Sequence, residues 1–405
     1  MRIGNSGRRP VILTFIWGYL PGFKAGGALR TVVNMTETLS DEFEFSIVTN
    51  DRDAGDVAPY PSVVPDRWQR VGKANVLYIS PGGLTLARCK RVIETTPHDA
   101  LYFQSCFSPF TLKPLAAISV GLARTSARTI VAPRGELDSG ALSIRRFKKL
   151  WFLRLSRLCG FFASALWQAS NANEAAAIRM WFGERAEVMV APDLVPGNVA
   201  EPRENRKKKT GQLRAVFISR ICPKKNLDGA LRILMTARGE ITFDIFGPAE
   251  DASYWKECQR MISALPSHIE VNYRGTLPHE QVVATLAGYD LFLFPTLGEN
   301  FGHVIREALA AGCPVLISDQ TPWRDLEQAG AGWDLRLDDP QAFASAIQVC
   351  VDMDAPSHET LREGARKVGL GYAQDHNVVR ANRELLWASV SGRASRRELP
   401  VRHCG

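Results

Sequence analysis

The chain has 405 residues, 45% of them hydrophobic and 23% charged, which excludes widespread disorder and exceeds the span of one typical domain. No run of roughly 18 consecutive apolar residues occurs, arguing against a membrane-spanning helix, and the eight scattered cysteines form no Cys-x-x-Cys pair, arguing against a metal finger or disulfide framework and for a reduced, cytoplasmic protein. A net charge of +8 points to anionic partners without choosing among nucleoside diphosphates, acidic lipids and nucleic acid.

In chain order, Val11 to Trp17 reads as a buried first strand. Arg8 and Arg9 before this apolar run resemble the start of a signal peptide, but Pro21-Gly22 follows at once and favours the strand. A helix over Ala28 to Leu39 comes next, then strands at Glu44 to Val48, Asn75 to Ile79, Ala100 to Phe103 and Thr129 to Ala132. The polar stretch from Pro196 to Gln212 interrupts the pattern and reads as a linker. Strands restart at Arg214 to Ser219, Thr242 to Phe246, Glu270 to Tyr273, Leu291 to Pro295 and Val315 to Ser318. This alternation predicts an α/β protein of two doubly wound, Rossmann-like parallel sheets. The expected division is 1–196, a linker over 197–212, a second domain over 213–375, and a C-terminal helix and tail over 376–405.

In such sheets ligands sit beyond the carboxyl ends of strands, where helix N-termini attract anions. Gly26 and Gly27 occupy that position after the first strand, where they suit either a turn or a phosphate-binding loop. The Ser219-Arg220-Ile221-Cys222-Pro223-Lys224-Lys225-Asn226 segment ends the first strand of the second half, so Arg220 and Lys225 either neutralise a diphosphate or form a solvated basic turn. Gly247 follows the next strand as a further donor-site candidate. Then Glu299-Asn300-Phe301-Gly302-His303-Val304 leads into a helix bearing Glu307. The amides of Gly302, His303 and Val304 offer a phosphate seat, Glu307 an acceptor for ribose hydroxyls, and Glu299 a carboxylate facing the sugar.

Here the sequence resembles glycosyltransferase family four, the retaining enzymes with the GT-B fold. The Glu-x7-Glu spacing of Glu299 and Glu307, the Ser-Arg-x-x-Pro-x-Lys-Asn strand tip and the early Gly-Gly loop carry the resemblance. It implies two sheets facing a central cleft, and a nucleotide-diphosphate sugar, UDP- or GDP-linked, as donor substrate with no separate cofactor and no metal. Arg220 and Lys225 then grip the diphosphate, Glu307 the ribose and Glu299 the sugar, while Gly26 and Gly27 close from the first domain. Asn300 stands where relatives often carry glycine. Ala132-Pro133-Arg134-Gly135-Glu136 lacks the histidine many members place before this glycine, so Arg134 is expected either to touch the donor or, with Glu136, to shape a turn. Relatives also suggest a glycan or lipid-linked acceptor in exopolysaccharide or lipopolysaccharide synthesis, and a terminal helix over Asn377 to Trp387 that crosses back to the first domain. The alternatives are a GT-B epimerase or phosphorylase and a non-catalytic nucleotide-sugar-binding protein.

Asp51-Arg52-Asp53 has the form of a metal-binding Asp-x-Asp but reads better as a solvated loop. Over 144–167 a basic amphipathic helix is expected, with Phe147, Trp151, Leu155 and Leu158 on one face and Arg145, Arg146, Lys149 and Arg157 opposite. Such a helix suits either the core or an anionic membrane at the inner face of the cytoplasmic membrane. The basic runs at Arg206–Lys209 and Lys224–Lys225 carry no interleaved aromatic residues, which weighs against nucleic acid.

Overall fold

The computed structural model describes residues 8–24, 26–138, 142, 146–196 and 207–391. Strands β1 (Val11–Phe15), β2 (Glu44–Asn50), β3 (Trp68–Val71), β4 (Ala74–Ile79), β5 (Ala100–Gln104), β6 (Arg128–Ala132), β7 (Ala165–Ala169) and β8 (Glu187–Val190) form one sheet in the order β3-β4-β2-β1-β5-β6-β7-β8. Every neighbouring pair is parallel except the antiparallel β3–β4 edge. The second sheet, in the order β11-β10-β9-β12-β13-β14, joins β9 (Gln212–Ile218), β10 (Glu240–Phe246), β11 (Ile269–Gly275), β12 (Leu291–Phe294), β13 (Val315–Ser318) and β14 (Gly332–Leu335), all parallel.

Both faces of each sheet are covered by helices, which is why the central strands are near-continuous apolar runs. Ile12 of β1 packs into one core layer while Leu13 and Phe15 pack into the other, as the two-residue side-chain period requires. The last helix, His376–Ser391, buries Val378, Leu385 and Leu386 in the first domain's core, and its Trp387 ring lies 5.1 Å from that of Phe43. Arg383 on the same helix pairs with Glu42 at 2.7 Å. The expected linker lies mostly outside the described residues, which resume at Lys207.

One expectation is corrected outright. The stretch read as a single helix over 144–167 is a helix over Arg146–Leu158, a turn, and then β7, where Trp167 is buried. Residues 144 and 145 lie outside the described set. The helix is also turned inside out relative to a core-packed amphipathic element. Leu153 and Ser156 are buried and Lys149 lies over the Phe107 ring, while Phe147, Trp151, Leu155 and Leu158 are exposed.

Candidate active site

The tips of β9 and β12 are stitched together by short polar contacts. After β9 a single 3-10 turn, Pro223–Lys225, ends at Asn226, which adopts the left-handed conformation and donates from Nδ2 to the Pro295 carbonyl at 2.7 Å. The Leu297 amide donates to the Lys224 carbonyl at 2.9 Å, and Thr296 Oγ1 donates to the same oxygen at 3.1 Å. This lacing brings Lys225 Nζ onto Glu299 Oε1 in a largely buried ion pair. Burial pulls the neighbouring Lys224 ammonium below its ordinary range, and the Glu299 carboxylate opposes that pull.

Two helix N-termini, one from each domain, converge on the same space. Gly302 is left-handed with φ 81° and opens the helix His303–Ala310; a Cβ there would lie 2.7 Å from Ile305. Gly26, with φ 76°, opens the helix Gly27–Leu39, and a Cβ on Gly27 would stand 3.2 Å from the His303 ring. Neither helix carries an acidic residue in its first turn or a side-chain cap, so their leading amides are available to an anion.

One cleft of about 500 Å³ is lined by Arg220, Lys225, Glu299 and Glu307 together with Gly26, Gly27, Gly247 and the run Asn300, Phe301, Gly302, His303 and Val304. Arg220 stands half-exposed at the rim, donating to Glu250 at 2.8 Å. Gly247 is there of necessity: a Cβ would fall 1.9 Å from the Ser219 carbonyl oxygen, so only glycine lets the two strand tips close up. The Glu307 side chain is largely buried, and burial pushes its carboxyl above the usual range against the pull of His303, Arg30 and Arg306. His279 Nδ1 lies 3.8 Å from Glu307, but burial, helped by Arg30, lowers that imidazole to about 4, so the ring is neutral at pH 7.

Arg134 also lines this cleft, but its hydrogen bonds are spent within the first domain. Its guanidinium is turned into the first domain, where Nε donates to Gln104 at 2.8 Å, one terminal nitrogen to Asp193 at 2.5 Å and Ser170 at 3.4 Å, and the other to Tyr102 at 2.7 Å and Gln168 at 3.2 Å. All five N–H groups are engaged, so none remains for a donor phosphate or sugar. Glu136 also lines the cleft and is likewise engaged, accepting from Ser105 Oγ at 2.7 Å and from the Cys106 amide at 2.6 Å. The Asp-x-Asp candidates are also occupied. Asp51 accepts from Arg52 and Ser80, and Asp53 accepts from the amides of Phe23 and Lys24, bracing the loop that leads to Gly26.

The structure adds residues the sequence reading passed over. Asp193, after β8, is buried, and burial pushes its carboxyl up, yet Arg134 and His303 overcome that push and hold it down to about 2. Its Oδ2 lies 3.5 Å from His303 Nε2, which also contacts Thr31 Oγ1 at 3.1 Å, so the imidazole bridges the domains. Arg30 also lines the cleft, and its place in the first turn after a glycine pair was a usable signal. Asp193 carried none, because it follows a four-residue edge strand that does not stand out as one. Asn300, where relatives often have glycine, makes a further bridge: its Nδ2 donates to Ser170 at 2.8 Å and its carbonyl accepts from Asn171 at 2.8 Å.

Two Rossmann-like sheets facing a cleft, with a basic strand tip and two open helix N-termini at its floor, define the GT-B class. Residues 198–368, which take in most of the second domain, match the family model for glycosyl transferases group 1. The chain is similar to the phosphatidylinositol N-acetylglucosaminyltransferase GPI3 subunit of Saccharomyces cerevisiae, 29% identical over 138 residues that make up 32% of this chain and 29% of that protein. It thus spans about three tenths of the length of the curated relatives it matches. Among solved structures, sucrose-phosphate synthase from Thermosynechococcus elongatus aligns over 96% of this chain and all of its own, with a TM-score of 0.70 and 14% identity. HepE from Anabaena, solved with UDP-glucose, aligns over 95% of this chain and all of its own, with a TM-score of 0.68 and 17% identity. At such identities the likeness defines the fold alone.

Proposed function

We propose that the chain is a retaining, metal-independent glycosyltransferase that moves a hexosyl group from a UDP- or GDP-linked sugar onto a glycan or lipid-linked acceptor in cell-surface polysaccharide synthesis. The observation that carries this reading is the meeting of Lys225 and Glu299 beside the open N-terminus that leads to Glu307. In it, Arg220, Lys224 and Lys225 with the helix amides take up the charge of the departing diphosphate, the role a divalent ion fills elsewhere. Glu307 accepts from the ribose hydroxyls and Glu299 from the sugar. Arg134 acts at one remove, by fixing Asp193 and through it His303.

A thermal-shift panel of uridine, guanosine and adenosine diphosphate sugars tests the donor. The true donor at a hundredfold excess over its Kd stabilises the fold by about 2.7 kcal/mol. NMR of the product's anomeric proton then tests retention. Binding without transfer would identify a non-catalytic nucleotide-sugar protein, and an altered free sugar nucleotide would identify an epimerase.

The helix Arg146–Leu158 supports a site of action at the inner face of the cytoplasmic membrane. No helix among the described residues is long and apolar enough to cross a membrane. Phe147, Trp151, Leu155 and Leu158 nevertheless stand 80%, 69%, 57% and 85% exposed on one face, with Lys148 and Arg154 beside them on the helical projection. Stranded apolar surface flanked by cations suits the interface of an anionic bilayer. Flotation with anionic vesicles, lost on Phe147→Ser with Trp151→Ser, tests this; equal flotation of the double variant removes it.

A further inference from the structure

A second cavity, of about 930 Å³, adjoins the donor cleft, and the two share Lys224, Glu299 and Asn300 as a common wall. Its other walls come from both domains: Leu137 and Asp138 after β6 and the helix Ala172–Phe182 on one side, Leu297–Gly298, residues 319–322 and Arg324 on the other. We propose that this cavity receives the saccharide end of the acceptor, an inference that rests on the glycosyltransferase reading.

Position argues for it first. An attacking hydroxyl has to come within about 3–3.5 Å of the reacting carbon. The acceptor therefore needs a space that opens onto the carboxylate holding the donor sugar and that the donor does not fill. The second cavity meets both conditions through Glu299.

Its chemistry agrees. Asp138, Asn173 and Gln320 offer carboxylate and amide groups that match sugar hydroxyls, while Met180 and Leu297, 63% and 47% exposed, offer apolar surface to the C–H face of a ring. The volume falls in the range of about 300–1,000 Å³ typical of small-molecule clefts.

The test uses the full chain, the radiolabelled nucleotide sugar that gives the largest thermal shift, and washed membranes of the organism that encodes the protein as acceptor. Ala176→Trp projects an indole into the cavity from the exposed face of its helix, and Asn173→Ala removes an amide with little risk to folding. Labelling of the membranes is expected to fall at least tenfold in the first variant and severalfold in the second, with nucleoside diphosphate affinity and unfolding midpoint unchanged. Wild-type labelling by both variants, with nucleotide binding intact, overturns the subsite while leaving the enzyme reading in place. No labelling by the unaltered protein overturns the enzyme reading and the subsite with it.

Discussion

Replacing Asp193 by asparagine keeps the shape of the side chain and removes its charge, leaving the Arg134 guanidinium buried without its counter-ion. Arg134 and Asp193 are 7% and 5% exposed at the side chain, so solvent does little to relieve the loss. Breaking a buried pair on one side costs about 3–5 kcal/mol. Protonation gives a second measure: lowering the carboxyl from 3.8 to about 2 corresponds to roughly 2 kcal/mol of stability, the part linked to the proton alone. At about 2–4 °C per kcal/mol for a domain of this size, the first domain's transition is expected to fall by roughly 6–20 °C at pH 7 in scanning calorimetry.

The pH dependence has a definite sign. Because the folded-state value is depressed, the stabilisation is complete above pH 3.8 and drains away as pH falls through about 2, so the gap between variant and wild type narrows in acid. Converting both residues to apolar groups, Arg134→Met with Asp193→Leu, is expected not to recover the loss, because Gln104, Gln168, Tyr102 and Ser170 then lose the donor that Arg134 supplies. An Asp193→Asn variant within about 0.5 kcal/mol of wild type at pH 7, a size typical of neutral surface changes, would refute the reasoning.

Three further outcomes follow from the same geometry. Gly247→Ala drives a methyl into the Ser219 carbonyl and is expected to cost more than about 2 kcal/mol in urea denaturation, whereas Gly55→Ala, left-handed but in open space, costs about 1 kcal/mol. Equal costs would show that the strand tips are not closely apposed. Glu307→Gln is expected to weaken nucleoside diphosphate binding by about 1.5–3 kcal/mol while leaving inorganic pyrophosphate affinity nearly unchanged; a matching loss for pyrophosphate would move Glu307 off the ribose. Asn300→Gly deletes the side-chain bond to Ser170 and is expected to raise the donor KM severalfold and to enlarge the unliganded radius of gyration in solution scattering. No change in either would leave Asn300 without a bridging role.

The central strands were legible because each is a short, doubly buried apolar run between turn signals, as in β1, β5 and β12. β3, β8 and β14 were not: each has four residues and lies at a sheet edge, too short and too mixed in polarity to display a period. β7 was hidden for a different reason, since its apolar run continues a helical pattern and only tertiary packing decides where the helix stops. The donor side of the site was legible because loops at strand tips impose residue types on themselves. Glycine is required where φ is positive at Gly26 and Gly302, and cations gather where amides already attract an anion. Arg134 stays open between two readings in the sequence because a basic residue at a strand tip looks the same whether its guanidinium is free for a ligand or spent on the domain's own polar groups. Its partners come from β5, β7 and the segments that follow β7 and β8, and no local pattern reveals them.

The central claim is that Arg220, Lys225, Glu299 and Glu307 close around a single nucleotide-linked sugar. Titration calorimetry of the preferred nucleoside diphosphate into wild type and into Arg220→Ala with Lys225→Ala tests it most directly. Loss of two charge-assisted contacts is expected to weaken binding by about 3–6 kcal/mol, at least a hundredfold. Wild-type affinity in the double variant would contradict it.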